Sequence, residues 1–364
     1  MILPKIIVGD FSGNRIWETT HPRCVDTFAP FGAMDAEAKI SLHDGEAPLL
    51  SVGAGLDIYL NDTLKFRGEI SELRTHSADS PLTIRATRRP ERMYRGEIRK
   101  LYEDATPTEI LSDILGILTG PLPIYSGSPT ASRNIDRLDF QGVPLFYAVD
   151  LLSKLAGNRL WWIDWAGELH FIPPGTAAEH VWYFDPDRMV LNPWLVDRSV
   201  KNLFFFQGGV SGGTEFVRFF EDFSSRDRFG DVEERLYARS ISTEQPFEYL
   251  KEAVLEESPF PTNYRSVDRY DETIDAFFGE RFELRGNPLI PLDVDQVYRI
   301  AAEEISWTED SFRTRYHLAE GLESASRYTR YLDHDPLGTS FVSAHLGAFT
   351  LDLSALDSEA HLDP

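Results

Sequence analysis

From Met1 to about Arg89 the sequence is divided into short runs in which apolar and polar residues alternate, among them Glu37–His43, Leu56–Leu60, Phe66–Leu73 and Leu82–Ala86. Gly, Asp, Asn or Pro separates each run from the next. A period of two places successive side chains on opposite faces of an extended chain, so each run reads as a strand with one apolar face. Asn61-Asp62 lies between Leu56-Asp57-Ile58-Tyr59-Leu60 and Leu64-Lys65-Phe66-Arg67-Gly68. Asn and Asp tolerate the left-handed backbone that a two-residue hairpin loop requires. A small barrel or strongly curved sheet is therefore expected as the first unit.

Helical periodicity begins further on. Thr106-Pro107-Thr108-Glu109 offers a capping Thr, a Pro suited to the first turn and a Glu that reaches back to the cap. Ile110, Leu111, Ile114, Leu115 and Leu118 then recur at helical spacing until Gly120-Pro121. A second helix opens at Pro144, carries Phe146, Val149, Leu152 and Leu155 on one stripe, and ends at Gly157 as a left-handed cap. Arg159–Trp165 and Glu168–Pro173 read as a hairpin about Asp164-Trp165-Ala166-Gly167. Val200–Phe206 and Thr214–Phe220 flank Gln207-Gly208-Gly209-Val210-Ser211-Gly212-Gly213, a second hairpin with a flexible tip. A third helix, roughly Glu244–Glu256, follows Ser242-Thr243. The last strands are expected at Arg281–Arg285, Val297–Ala301 and Ile305–Trp307, the latter paired with Phe312–Leu318 across Thr308-Glu309-Asp310-Ser311.

The length of 364 residues, 42% of them hydrophobic, implies two or three packed units. Against 36 basic residues stand 59 acidic ones, and a net charge of -23 repels phosphate and anionic lipid. A generic DNA-binding or membrane-surface protein is not expected on that ground. Of the basic residues 29 are Arg and 7 Lys, a bias that fits a GC-rich genome, salt adaptation or many fixed polar contacts. The single Cys24 rules out an intrachain disulfide and a thiolate zinc cluster. The apolar runs at the N-terminus are split by Pro4 and Lys5, and no later stretch approaches ~20 apolar residues, so no signal segment or stable membrane insertion is expected and folding in a cytoplasm is.

Gly209-Val210-Ser211-Gly212-Gly213 satisfies the G-x-S-x-G pattern of a serine nucleophile, and an Asp and a His such as His317 follow in hydrolase order. An elbow of that kind needs a helix after the serine, whereas Thr214–Phe220 is β-branched and aromatic and reads as a returning strand. The nine histidines are scattered, and Asp293-Val294-Asp295 and Asp333-His334-Asp335 lack the Gly and distal Glu of a calcium loop. No catalytic, cofactor-binding or metal-binding residue is assigned, and no cofactor. The densest basic stretch, Arg85 to Lys100, has Arg85, Arg88, Arg89, Arg92, Arg95, Arg99 and Lys100 against Glu91 and Glu97. It either meets phosphates or pairs with acidic surface on this chain or an adjacent copy; a charge of -23 favours pairing. Trp161, Trp162 and Trp165 are able to stack bases or sugars, but in a strand they alternate faces, and core packing with a partner interface is the expectation.

The order of these elements resembles that of the tail hub, or baseplate hub, proteins of tailed viruses, which are related to the hubs of contractile injection systems and type VI secretion spikes. The likeness is carried by Leu56–Ile70 leading to Leu82–Ala86, by Ala105–Leu111, by Val143–Leu152 running into Trp162–Pro173, and by Val200-Lys201-Asn202 before the Gly-rich hairpin. Ser225–Gly230, followed by an Ile-Ser-Thr lead into a helix, fits as well. The resemblance implies a β-rich α+β fold with two tube-like β-barrel domains and helix-containing domains between them. On this pattern residues 1–95 are part of the first barrel and 96–175 a helix–hairpin domain. Residues 176–242 are a connecting β region with the Gly-rich hairpin, 243–330 a helix plus second-barrel strands, and 331–364 an acidic arm.

What the resemblance implies for function is a structural virion protein and no enzyme: a homotrimer whose three pairs of barrels match a hexameric tail tube. Its partners would be the distal tail or tail tube protein, a tip, fibre or spike protein and the tape measure protein. Genomic DNA would pass through the lumen without specific binding, and the virion tail would be its location after synthesis in the host cytoplasm. The hub of a contractile injection system, a serine hydrolase using Ser211 and a carbohydrate-binding module using the tryptophan hairpin are the alternatives. The arm from Tyr331 to Pro364 lies outside the pattern. It has six acidic residues, no Lys or Arg, and too many apolar residues for a purely solvating tail, so docking on a neighbouring subunit is expected of it.

Overall fold

The computed structural model describes residues 2–9, 14–30, 36–43, 50–74, 82–88, 96–118, 133–165, 168–173, 179–192, 195–197, 200–257, 262–270, 281–285 and 296–320. The chain divides into two units. The first draws on Met1–Pro90, Ala178–Leu195 and Tyr264–Gly321, and the second on Glu91–Ala177 and Val196–Asn263. The chain thus leaves the first unit and returns to it more than once before β-structure is complete.

In the first unit seven strands come from the N-terminal third: β1 (Pro4–Gly9), β2 (Arg15–Thr19), β3 (Cys24–Pro30), β4 (Ala36–Ser41), β5 (Gly55–Leu60), β6 (Thr63–Arg74) and β7 (Thr83–Arg88). Alternation in the sequence becomes alternation in burial: Ile6, Val8, Leu56, Ile58 and Leu60 are buried, and the residues between them are not. Each such side chain contributes about 1.5–3 kcal/mol when fully removed from water. Asn61 and Asp62 take φ of 48° and 67°, the left-handed pair expected of the β5–β6 hairpin. A tight approach fixes Gly68: a Cβ there would stand 2.7 Å from the Thr87 carbonyl oxygen.

The strands β8 (Glu97–Ala105), β9 (Ile135–Pro144), β10 (Leu160–Ile163) and β11 (Leu169–Ile172) belong to the second unit, as two antiparallel pairs. In the first unit there follow β12 (Glu179–Tyr183) and β13 (Met189–Leu191), and near the boundary β14 (Leu195–Asp197). The second unit continues with β15 (Leu203–Ser211), β16 (Thr214–Glu221) and β17 (Glu233–Ala238), and β18 (Thr262–Arg269), β19 (Arg281–Arg285), β20 (Gln296–Thr308) and β21 (Phe312–Glu320) complete the first. All the strands of the first unit form one 14-stranded sheet in the order β13-β18-β21-β20-β3-β4-β7-β6-β5-β1-β2, with β12, β14 and β19 attached beside that path.

The two runs expected at Val297–Ala301 and Ile305–Trp307 are one strand, β20, whose register shifts between Ile300 and Ala302. Before the bulge its residues 296–299 pair with β19; after it, Ala302–Thr308 pair with Cys24–Pro30 of β3. A bulge sharpens local twist, which turns the strand from one half of the sheet into the other. The fold is β-rich α+β as expected, but among the described residues neither half closes on itself, so the closed double barrel is not seen here.

Three long-range contacts hold the join. The Lys65 Nζ of β6 donates to Glu303 Oε1 at 3.3 Å, both side chains buried. The Trp307 indole N–H donates to the Ile2 carbonyl at 3.0 Å, and the Ser306 hydroxyl meets Asp26 at 2.7 Å.

In the second unit, α1 (Pro107–Leu118) begins with the capping box read from the sequence: the Glu109 N–H donates to Thr106 Oγ1, and the Thr106 N–H donates to Glu109 Oε2 at 2.8 Å. The second helix, α2 (Leu145–Leu155), ends on Gly157 at φ 89°. Its sequence shows one apolar stripe, yet all eleven residues are buried, Asp150 and Lys154 among them, because α1, β9, β10 and the later α4 (Glu244–Glu257) pack around it. A short α3 (Phe223–Phe229), capped by Asp222 accepting from the Ser225 N–H at 2.8 Å, carries the chain from β16 to β17, which lies parallel to β15.

Removing one partner of a buried ion pair leaves an uncompensated charge. Lys65→Ala is expected to destabilise the first unit by about 3–5 kcal/mol in denaturant unfolding, whereas Lys65→Met with Glu303→Leu is expected to recover most of that loss.

Candidate assembly surfaces

Two surfaces stand out, one in each unit. In the first unit, residues of the sheet that alternate with the core carry charge, and neighbouring strands match acid to base. The Arg315 guanidinium of β21 forks onto Asp268 of β18 at 2.7 and 3.0 Å and lies 3.7 Å from Glu304 of β20. Arg313 meets Glu304 at 2.9 Å, and His317 Nε2 lies 3.7 Å from its other oxygen. On the far side of the sheet order, Arg67 of β6 forks onto Asp57 of β5 at 2.8 Å through both nitrogens.

Burial pushes the Glu304 carboxyl up, but His317, Arg315 and Arg313 together outweigh it and hold the carboxyl below its usual range. The hydrogen bond to Asp268 holds Arg315 above its ordinary value, and Asp57 does the same for Arg67. Planar bidentate pairs of this kind are strong and directional, and they tie up both partners. Asp268, Glu304 and His317 are themselves buried, and Arg67 and Arg315 are held by their carboxylates and so withheld from a phosphate.

The second surface is the three-stranded sheet β16-β15-β17. One side packs on α4: Phe247 sits against Phe206, Phe216 and Phe220 with ring centroids 5.1–5.8 Å apart. Arg218 lies over Phe216 and pairs with Glu244 at the start of α4. The bulged Gly208 and Gly209 let the chain cross here, since a Cβ would stand 2.3 Å from the Ile241 carbonyl oxygen and 2.2 Å from that of Arg239. On the other side Phe205 and Phe219 face each other across the strands at 5.2 Å, with Val217 two residues along. These three are 42%, 51% and 52% exposed. An exposed cluster of large apolar residues on a flat sheet is the form of a protein contact surface.

The sequence candidates fall differently. Ser211 is the last residue of β15, in register with Thr214 across Gly212 and Gly213 at φ 60° and 82°. The chain returns as a strand, so the strand–turn–helix geometry of a nucleophile elbow is absent at this position. His317 lies in the other unit, engaged with Glu304 and edge-on to Phe28 at 6.2 Å.

Trp161 and Trp162 are both buried, Trp161 against Phe146 and Trp162 stacked on His170 at 4.6 Å, which withdraws them from a glycan. The strand alternates, but β10 is covered on both faces. The same hairpin gathers Asp164, Glu168 and His170, whose oxygen and nitrogen atoms lie within 4.8 Å of one another. Residues of these types hold metal ions, and the sequence spacing had not singled them out. A direct contact of 3.0 Å between His170 Nε2 and Asp164 Oδ2 accounts for their approach.

In the basic stretch Arg85 pairs with Glu72, Arg99 with Glu97 and Lys100 with Asp113, so these three meet acids of this chain. Arg89, Arg92, Arg95, both short acidic pairs near residues 293 and 333, and the arm from Tyr331 lie outside the described residues.

No protein-family model matches the sequence, and no curated protein does. Solved structures with the same fold exist. A tail protein from Neisseria meningitidis MC58 superposes with a TM-score of 0.61 at 12% identity, over 88% of this chain and 97% of that one. The prophage tail protein gp18 from Listeria monocytogenes gives 0.57 at 16% identity, over 92% and 100%. The E. coli c3393 protein, a component of the type VI secretion system with structural similarity to T4 bacteriophage tail proteins gp27 and gp5, gives 0.51 at 11%, over 83% and 74%. The fold is that of phage tail proteins and of spike-like secretion components, as the order of sequence elements implied.

Because the folded Glu304 carboxyl binds its proton more weakly than in the unfolded chain, its contribution to stability is fully present above the unfolded value of about 4.3 and is lost as pH falls through the lower folded value. Unfolding midpoints measured between pH 7 and pH 3 are expected to fall less steeply for Glu304→Gln than for the parent. Gly209→Ala is expected to cost at least about 2 kcal/mol, read by the same unfolding measurement.

Proposed function

We propose that this chain is the tail hub of a tailed virus: a structural protein that joins the tail tube to the tip, fibre or spike and surrounds part of the path of the DNA. The observation that carries the reading is the superposition on phage tail proteins along nearly the full length of both chains. Its physical basis is the sheet itself. Strand β20 serves an N-terminal half and a C-terminal half, and on this reading each half would supply one tube-like barrel wall. Three copies would then present six such walls to a hexameric tube, with distal tail, tape measure and tip proteins as neighbours and the virion tail as the location.

The charge supports the same reading. Each phosphate neutralised by a protein releases counterions and adds salt-dependent affinity, which would hold a genome in its conduit. A chain of net charge -23, with Arg67 and Arg315 forked onto carboxylates, would avoid that trap. A hub of a contractile injection device is the second reading, favoured by the likeness to the type VI secretion component. A contractile sheath around particles that contain the protein would decide for it.

Native mass measurement of the purified chain is expected to give about three times 41.4 kDa, and the assembly is expected to leave duplex DNA unbound at moderate salt. A monomer that stays monomeric when its tail partners are added, or tight DNA binding, would overturn the proposal.

A further inference from the structure

The open face of β16 and β15 has an edge as well as a surface. Among the described residues β16 pairs with β15 alone, so its outer edge presents backbone donors and acceptors beside Val217 and Phe219. An apolar face next to an unpaired edge is where an extended peptide adds as a further strand: the backbone supplies the ladder and alternate side chains supply the fit.

The chain carries a segment with the matching pattern. Within the C-terminal stretch, Phe349-Thr350-Leu351-Asp352-Leu353 alternates large apolar with polar residues, the period of a half-covered strand. Added beside β16, Phe349, Leu351 and Leu353 would continue the row of Phe205, Phe219 and Val217, and Thr350 and Asp352 would turn to the other side. Some 28 residues separate Glu320, at the end of β21, from Phe349, and at full extension they span up to ~90 Å. Tethering at that length gives a flexible segment an effective concentration far above that of any free partner. We infer that residues 349–353 dock on their own chain as a fourth strand on the outer edge of β16, covering Val217 and Phe219. This is independent of the hub reading, because it concerns only where the arm of a chain binds.

Disulfide trapping in the full-length chain tests it, with Cys24→Ser removing the native thiol. Val217→Cys is combined in turn with Phe349→Cys, Leu351→Cys and Leu353→Cys; Val52→Cys, 59% exposed in the other unit, replaces Val217→Cys as the control. At least one Val217 pair is expected to link within a single chain, ~10-fold or more above the Val52 pairs. Links no more frequent than in the controls, or links found only between chains, would overturn the proposal, the latter by assigning the face to a neighbouring copy. Hydrogen exchange on the otherwise native chain adds a second measure. Leu351→Asp is expected to speed exchange in β16 while leaving β17 unchanged, and unaltered exchange in β16 would count equally against docking.

Discussion

Everything in the first unit depends on one strand being shared. Strand β20 is thirteen residues long, and the bulge between Ile300 and Ala302 divides it between β19 on one side and β3 on the other. Without that division the N-terminal strands would end in an open edge at β3, and the C-terminal strands would end at β20. Open edges of that length invite association with other chains. Joining them makes two halves built from opposite ends of the sequence into a single hydrogen-bonded sheet.

The join is also where buried polar chemistry accumulates. Lys65 and Glu303 meet on the core side, while Glu304, one residue on, points to the opposite side among Arg313, Arg315 and His317. Successive residues of one strand thus anchor two different ionic arrangements on two faces. A buried pair is weak support for stability, since well-packed apolar residues often do as well, but its geometry allows one register only. Slipping β20 by one residue would turn Glu303 away from Lys65 and drive Glu304 into the apolar core. Register fixed here fixes how the two halves meet.

The local parts of this fold were legible in the sequence. The Thr106–Glu109 cap, the Asn61-Asp62 hairpin and the Gly157 stop each need only a few neighbouring residues, and each forms as read. What the sequence hid is set by distant partners. The pairing of β20 with β3 joins residues about 280 positions apart, and no run of letters signals it. Helix α2 shows one apolar stripe but is enclosed all round, because packing of α1 and α4 is invisible in its own periodicity. Helix α3 has seven residues, too few to display a period, and rests on the Asp222 cap instead. The open aromatic face was missed for a related reason: in a strand of phenylalanines, Phe205 and Phe206 look alike, and only Phe247 distinguishes the covered side from the bare one.

The arginine bias takes on a physical meaning in this light. Twenty-nine arginines would draw a polyanion to the chain if their guanidinium groups were open, because affinity for DNA grows with the number of phosphates neutralised. A planar guanidinium forked onto a carboxylate is different: engaging a phosphate requires breaking two directional bonds and uncovering the acid it was paired with. Arg67 on Asp57 and Arg315 on Asp268 are held in this way. Arginine suits this role better than lysine, whose single flexible ammonium would leave one carboxylate for the phosphate with little loss. An arginine that locks strand to strand in this way is withheld from a phosphate by the same two bonds.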